Sequence, residues 1–172
     1  GIKVIPCYYK KDYPEWSDRG DGPGAPVAVH LPNSPVISTG KRDGSKIRLP
    51  NGNYLEETAS YFVMVETKTG GFTPALITMK STQLNVSKKW NSMMKTIQIP
   101  DGKGGFAIPP MHGVVYNLAS TLQKNDKGSW YGWVVTQDRI MGQDDKALYL
   151  SAKEFAGNVS KGSVQTKADV EE

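Results

Sequence analysis

Apolar residues in this chain recur mostly at every second position or in short runs, the periods of strands rather than of helices. The segment Ile2-Lys3-Val4-Ile5-Pro6-Cys7-Tyr8-Tyr9 is β-branched and aromatic and reads as a strand. Pro6, which donates no ladder hydrogen bond, places that strand at an edge or a bulge. Gly, Pro, Asp and Ser accumulate over 17–24 and again around Pro32 and Pro35, so a loop is expected there. Residues 46–49 read as a short strand, and Pro50-Asn51-Gly52-Asn53 as a turn, because Gly52 accepts positive φ without steric cost. Residues 61–66 form a buried strand that Thr67-Lys68-Thr69-Gly70-Gly71 turns back into 74–79, a hairpin. Two further strands are expected over 114–122 and 130–136, joined by a polar loop over 123–129.

Only 81–97 carries a clear helical period. Val86, Trp90, Met93, Met94 and Ile97 fall on one face, and Lys88, Asn91, Ser92 and Lys95 on the other. Ser81 or Thr82 is placed to cap its first turn. Pro100-Asp101-Gly102-Lys103-Gly104-Gly105 follows as a loop. Beyond Ala152 the apolar pattern fades, and 157–172 is mostly small and polar. The pattern predicts a mainly β fold with a minor α component: a curved antiparallel sheet or barrel with one main helix over 1–156, then a flexible polar and acidic tail over 157–172.

Composition sharpens this picture. A chain of 172 residues fits one domain around one core, and its 18 Gly and 11 Pro fit many turns between short elements. No apolar run approaches the roughly 20 residues that span a bilayer, so no membrane partner is expected. The N-terminus does not read as a signal segment. The single Cys7 cannot form an internal disulfide, which favours a reducing compartment. The net charge of +4 is unevenly divided: residues 1–137 hold 16 Lys and Arg against 10 Asp and Glu, and residues 138–172 hold 5 against 7. A basic body attracts polyanions by Coulomb force and counterion release, and an acidic tail can compete for the same surface.

Signals for catalysis are few. His30, His112 and Cys7 contain no close ligand pair, so no metal and no other cofactor is expected. Gly102-Lys103-Gly104-Gly105 lacks the spacing of a phosphate-wrapping loop. Glu56-Glu57 and Asp144-Asp145 are adjacent pairs, which point to opposite faces of a strand and make poor acid/base couples. A binding protein rather than an enzyme is the expectation.

Binding features are better represented, in four groups. Tyr8, Tyr9, Lys10, Lys11, Tyr13 and Trp16 interleave aromatics with cations. Lys41, Arg42, Lys46 and Arg48 form a basic group in a Gly-containing stretch. Lys88, Lys89 and Lys95 lie on the helix, where Trp90 belongs to the core. In Trp130-Tyr131-Gly132-Trp133, strand alternation sets Tyr131 and Trp133 on one face, with Gly132 leaving room beside the rings. Exposed aromatics on a sheet give bases a flat partner, worth roughly 1–3 kcal/mol per base without sequence preference.

Ile5-Pro6-Cys7-Tyr8-Tyr9 with Glu15-Trp16, then Pro74-Ala75-Leu76-Ile77 running into Lys80-Ser81-Thr82-Gln83-Leu84 and Lys88-Lys89-Trp90-Asn91, then Gly128-Ser129-Trp130-Tyr131-Gly132-Trp133, resemble segments of small proteins of tailed bacteriophages. The layout is also similar to phage single-stranded DNA-binding proteins of the OB-fold type. That resemblance implies an OB-like nucleic-acid-binding domain over 1–156, acting on single-stranded DNA in phage replication or recombination in the cytoplasm of the infected cell. It leaves RNA and homo-oligomers open, and it implies replication or recombination proteins as partners of the tail. The tail departs from the type by ending in Glu171-Glu172 rather than in an aromatic residue. The competing expectations are a virion or assembly protein that makes protein contacts, and a metal-dependent nuclease.

Overall fold

The computed structural model describes residues 1–18, 24–126 and 128–164. Along the chain the elements are β1 (Ile2–Trp16), β2 (Ala28–His30), α1 (Pro35–Thr39), β3 (Lys41–Asp43), β4 (Lys46–Arg48), β5 (Tyr54–Glu56), β6 (Thr58–Glu66) and β7 (Phe72–Lys80). Then come α2 (Leu84–Thr96), the small hairpin β8 (Ile99–Pro100) and β9 (Phe106–Ala107), the long hairpin β10 (Val114–Asn125) and β11 (Gly128–Ile140), and α3 (Lys146–Ser160). The result is mostly β, a strongly curled antiparallel half-barrel.

Strand β1 is the spine. Its start lies between β10 and β6, which gives the order β7-β6-β1-β10-β11. Its end lies between β2 and β5, which gives a smaller sheet ordered β2-β1-β5-β4-β3. The partners β5 and β6 keep one register against β1, from Tyr8↔Phe62 through Asp12↔Thr58 to Trp16↔Tyr54. The two faces of the curled sheet therefore run on without a break from the large sheet into the small one. Pro6 is accommodated as anticipated at a bulge: the register shifts between Pro6 and Tyr8, so Cys7 and Tyr8 turn to the same side.

The first face is covered along its length. On the large sheet α2 lays Trp90, Met94 and Ile97 against Val4, Ala59, Tyr61, Val63, Met79, Tyr116 and Leu118. Trp90 is fully buried, stacked on Tyr61 at 4.4 Å and set edge-on to Tyr116 at 5.6 Å. The Tyr61 hydroxyl reaches Ser87 Oγ at 2.7 Å and Asn91 Oδ1 at 3.1 Å, so Asn91 turns partly inward rather than fully to solvent. On the small sheet α1 packs Val36 and Ile37 over Tyr13, Ile47, Leu49 and Leu55.

On the second face, among the described residues, a helix packs at one end only, although Asp12, Thr58, Ser60 and Phe62 in its middle are also buried. At that end α3 seats Ala152, Phe155 and Ala156 on Ile5, Cys7, Met64 and Val115. This second long helix was not anticipated. Its apolar positions Leu148, Ala152, Phe155, Ala156 and Val159 keep helical spacing through Gly157, into the segment expected to start the tail. Small residues there blunt the apolar signal while packing closely on the sheet. The rest of the expected tail, 165–172, lies outside the described residues.

Strands also run longer than expected. Packing draws the polar ends of β1, β10 and β11 into ladders, so β10 reaches Asn125 and β11 begins at Gly128. The expected side-chain cap of the main helix is absent: Ser81, at φ 52°, turns β7 into a short 3-10 segment, Ser81–Gln83, that leads into α2. Among the described residues no helix is long and apolar enough to cross a membrane.

Candidate nucleic-acid interface

Among the described residues no helix packs on the second face over the small sheet, where Trp16 and Tyr54 are half-buried. Register places Trp16 beside Tyr54, Tyr54 beside Arg48 and Arg48 beside Lys41, so four strands contribute one row of side chains to one face. One step along, Glu56, Lys46 and Asp43 make a second row on the same face. Contacts agree with this placement. Lys46 Nζ stands 3.7 Å from the centre of the Tyr54 ring, and the Arg48 guanidinium 5.5 Å from it. Lys80 Nζ lies 5.9 Å from the Trp16 ring centre and 2.8 Å from Glu56 Oε2.

On the far side of Trp16 the row meets β2. Val29 pairs with Pro14 and so shares the face of Trp16, and Val27 and Leu31 flank the strand on either side. They are 58%, 42% and 66% exposed for Val27, Val29 and Leu31. Across the small sheet, then, the open face changes from apolar at β2, through aromatic at β1 and β5, to basic at β4 and β3. Carboxylates temper the basic edge: Arg48 lies 3.3 Å from both Asp18 and Asp43.

Beneath this face sits a buried carboxylate. Glu15 points to the covered side and accepts hydrogen bonds from Asn53 Nδ2 at 2.6 Å and Asn51 Nδ2 at 3.2 Å, with His30 Nε2 at 2.7 Å. Burial raises its pKa, but the hydrogen bonds from Asn53, His30 and Asn51 outweigh burial and hold it below the ordinary carboxylate range. Glu15 thus ties β2 and the 50–53 turn to β1, the three pieces that frame the aromatic row.

The sequence-predicted residues divide between the faces. Trp16, Lys41, Lys46 and Arg48 come together on the open face, and Tyr8 and Lys10 lie farther along it. There Tyr8 meets Phe62 edge-on at 6.1 Å and Lys10 pairs with Asp12 at 3.3 Å. Tyr9, Lys11 and Tyr13 take the covered face: Tyr9 packs on Tyr61 at 5.0 Å, Lys11 bonds Glu57 at 2.5 Å, and Tyr13 is buried in the small core. The interleaved segment is therefore no single groove, because alternation along a strand sends neighbouring residues to opposite sides. Arg42 pairs with Ile47 and leaves the row, although it is exposed. Lys88, Lys89 and Lys95 line the solvent side of α2, away from the open face.

Tyr131 and Trp133 share a face, as alternation requires, and it is the α2 face. Tyr131 is 74% exposed near the end of the β10–β11 hairpin, while Trp133 is partly buried against the main core and its backbone N–H donates to Gln83 Oε1 at 2.8 Å. Gly132 does not leave open room beside the rings. The side-chain amides of Gln83 and Gln123 fill the space over it.

Tyr54 and Lys80 belong to the open face and were not anticipated. Tyr54 stands two residues after Gly52 in a short strand that register alone aligns with Trp16, and the only sequence signal was an aromatic flanked by Asn53 and Leu55. Among the described residues no group of three or more His, Cys, Asp or Glu could hold a metal ion. A family model described as Pam3 phage gp34-like protein matches residues 1–165. No curated protein and no solved structure matches the chain.

Proposed function

The chain belongs to the Pam3 phage gp34-like protein family, and from that premise we propose that it binds single-stranded DNA, without sequence preference, on the open face of its small sheet. The observation that carries this reading is the order of chemistry across that face: the exposed Val29 on β2, then Trp16 and Tyr54, then Arg48, Lys46 and Lys41. A single strand has the same order across its width, with apolar base faces on one side and phosphates on the other. Aromatic stacking tolerates any base, and Lys or Arg contacts release counterions from the phosphates. The protein acts in the infected host cell, in replication or recombination of phage DNA, and needs no cofactor for holding a strand.

A titration of labelled poly-dT against duplex of equal length, at two salt concentrations, tests the reading. Expected is tighter binding to the single strand, weakening as salt rises. Equal or absent binding to both would overturn it. The long hairpin supports a second reading, a virion or assembly protein: Leu122 and Tyr131 are cross-strand neighbours on β10 and β11, both exposed, and form an apolar patch suited to a protein contact. Retained DNA binding by Leu122→Ser combined with Tyr131→Ser, together with loss of assembly, would favour it.

A further inference from the structure

The basic edge of the open face has a spacing of its own. Lys46 and Arg48 are two residues apart on β4 and point the same way, so their stems are about 6.6 Å apart along the strand. The neighbouring strand β5 brings Tyr54 alongside, and β1 brings Trp16 one strand farther on. Arg48 is held by Asp18 and Asp43, whose side chains are 65% and 66% exposed. Exposed pairs of this kind contribute little in water and exchange readily for another anion.

We infer that Lys46 and Arg48 hold two consecutive phosphates of one strand, which runs along β4 with its bases turned across β5 and β1, and that Asp43 is a built-in competitor those phosphates displace. The inference rests on the single-strand reading above and narrows it to a compact unit of about four nucleotides, at the short end of known single-strand sites. Bases turned toward Tyr54 and Trp16 must be unpaired, which excludes a duplex. The competitor sets a sign that a purely structural Asp43 would not: removing its charge leaves Arg48 held by Asp18 alone and so easier for the phosphate to take.

The test is a length series of oligo-dT, from two to sixteen nucleotides, titrated at several salt concentrations against the parent chain, Arg48→Gln, Arg48→Lys and Asp43→Asn. Circular dichroism is used to confirm that each variant is folded. Expected is an affinity per site that levels off by about four nucleotides, with a log–log salt slope near −1.4, roughly 0.7 for each of two phosphates. Arg48→Gln should flatten the slope by about 0.7 and Arg48→Lys should restore it. Asp43→Asn should tighten binding severalfold at low salt, with the gain fading as salt rises. A parent that binds single strands while slope and affinity ignore both positions, or an affinity that keeps rising to sixteen nucleotides on one chain, would overturn the inference and leave the single-strand reading standing. A parent that binds no length at all would overturn both.

Discussion

Replacing Trp90 by alanine removes the largest side chain that is wholly shielded from solvent. An aromatic of this size buries about 150–250 Å², which at roughly 25 cal/mol per Å² is about 4–6 kcal/mol of transfer free energy. The stack on Tyr61 and the edge contact to Tyr116 add about 0.5–1.5 kcal/mol each. Against this, Trp90 Nε1 is buried with no hydrogen-bond partner among the described residues, a desolvation cost of about 1–3 kcal/mol that alanine would relieve. These terms net to about 4–6 kcal/mol, and the roughly 1 kcal/mol of burial that the alanine methyl keeps brings the expected loss to about 3–5 kcal/mol, the usual range for such truncations. Urea denaturation followed by circular dichroism measures it. Trp90→Phe separates the contributions, because it keeps an aromatic ring between Tyr61 and Tyr116 and deletes the orphan donor; its loss should be under about 2 kcal/mol. A loss below about 1 kcal/mol for Trp90→Ala would refute the placement of α2 on the sheet.

Glu15→Gln should destabilise by about 1–3 kcal/mol, since it loses a charged acceptor of three donors. Because Glu15 has a lowered pKa in the folded chain, its contribution is complete above the unfolded value of about 4.3 and is lost as pH falls through the lower folded value. Acid titration of stability should therefore be shallower in Glu15→Gln, and an unchanged acid profile would contradict the arrangement. Gly40→Ala would drive a methyl group into Ile47 and to 3.0 Å from the Arg48 carbonyl oxygen, so a loss of about 1–3 kcal/mol is expected in thermal or chemical melts. Gly132→Ala meets only the movable ends of Gln83 and Gln123, and should cost about 1 kcal/mol by displacing Gln83 from the Trp133 N–H; a neutral result would show that this bond contributes nothing. Tyr131→Ala should leave stability within about 0.5 kcal/mol, because the ring is largely in solvent. In a strand titration it should also leave DNA binding unchanged if the open face holds the strand.

Alternation and turn chemistry determined much of this protein. The strands around 2–9, 61–66, 74–79, 114–122 and 130–136, the bulge at Pro6, and the buried Trp90 stripe of α2 follow from side-chain period and from what proline lacks. The same alternation already required Tyr131 and Trp133 to share a face. What the chain alone left open was anything set by partners distant in sequence. Helix α3 was missed because Ala152, Ala156 and Gly157 look like the start of a polar tail until Ile5, Cys7 and Val115 are placed beneath them. The candidate site was missed in part for the same reason. Trp16, Tyr54, Arg48 and Lys41 are scattered over the sequence, and only the shared register of β5 and β6 against β1, continued through β4 to β3, sets them in one row. Local sequence encodes which way a side chain points relative to its neighbours. Which face is then covered is decided by where the helices pack, and here, among the described residues, α1 and α2 close one face along its length while α3 packs on one end of the other.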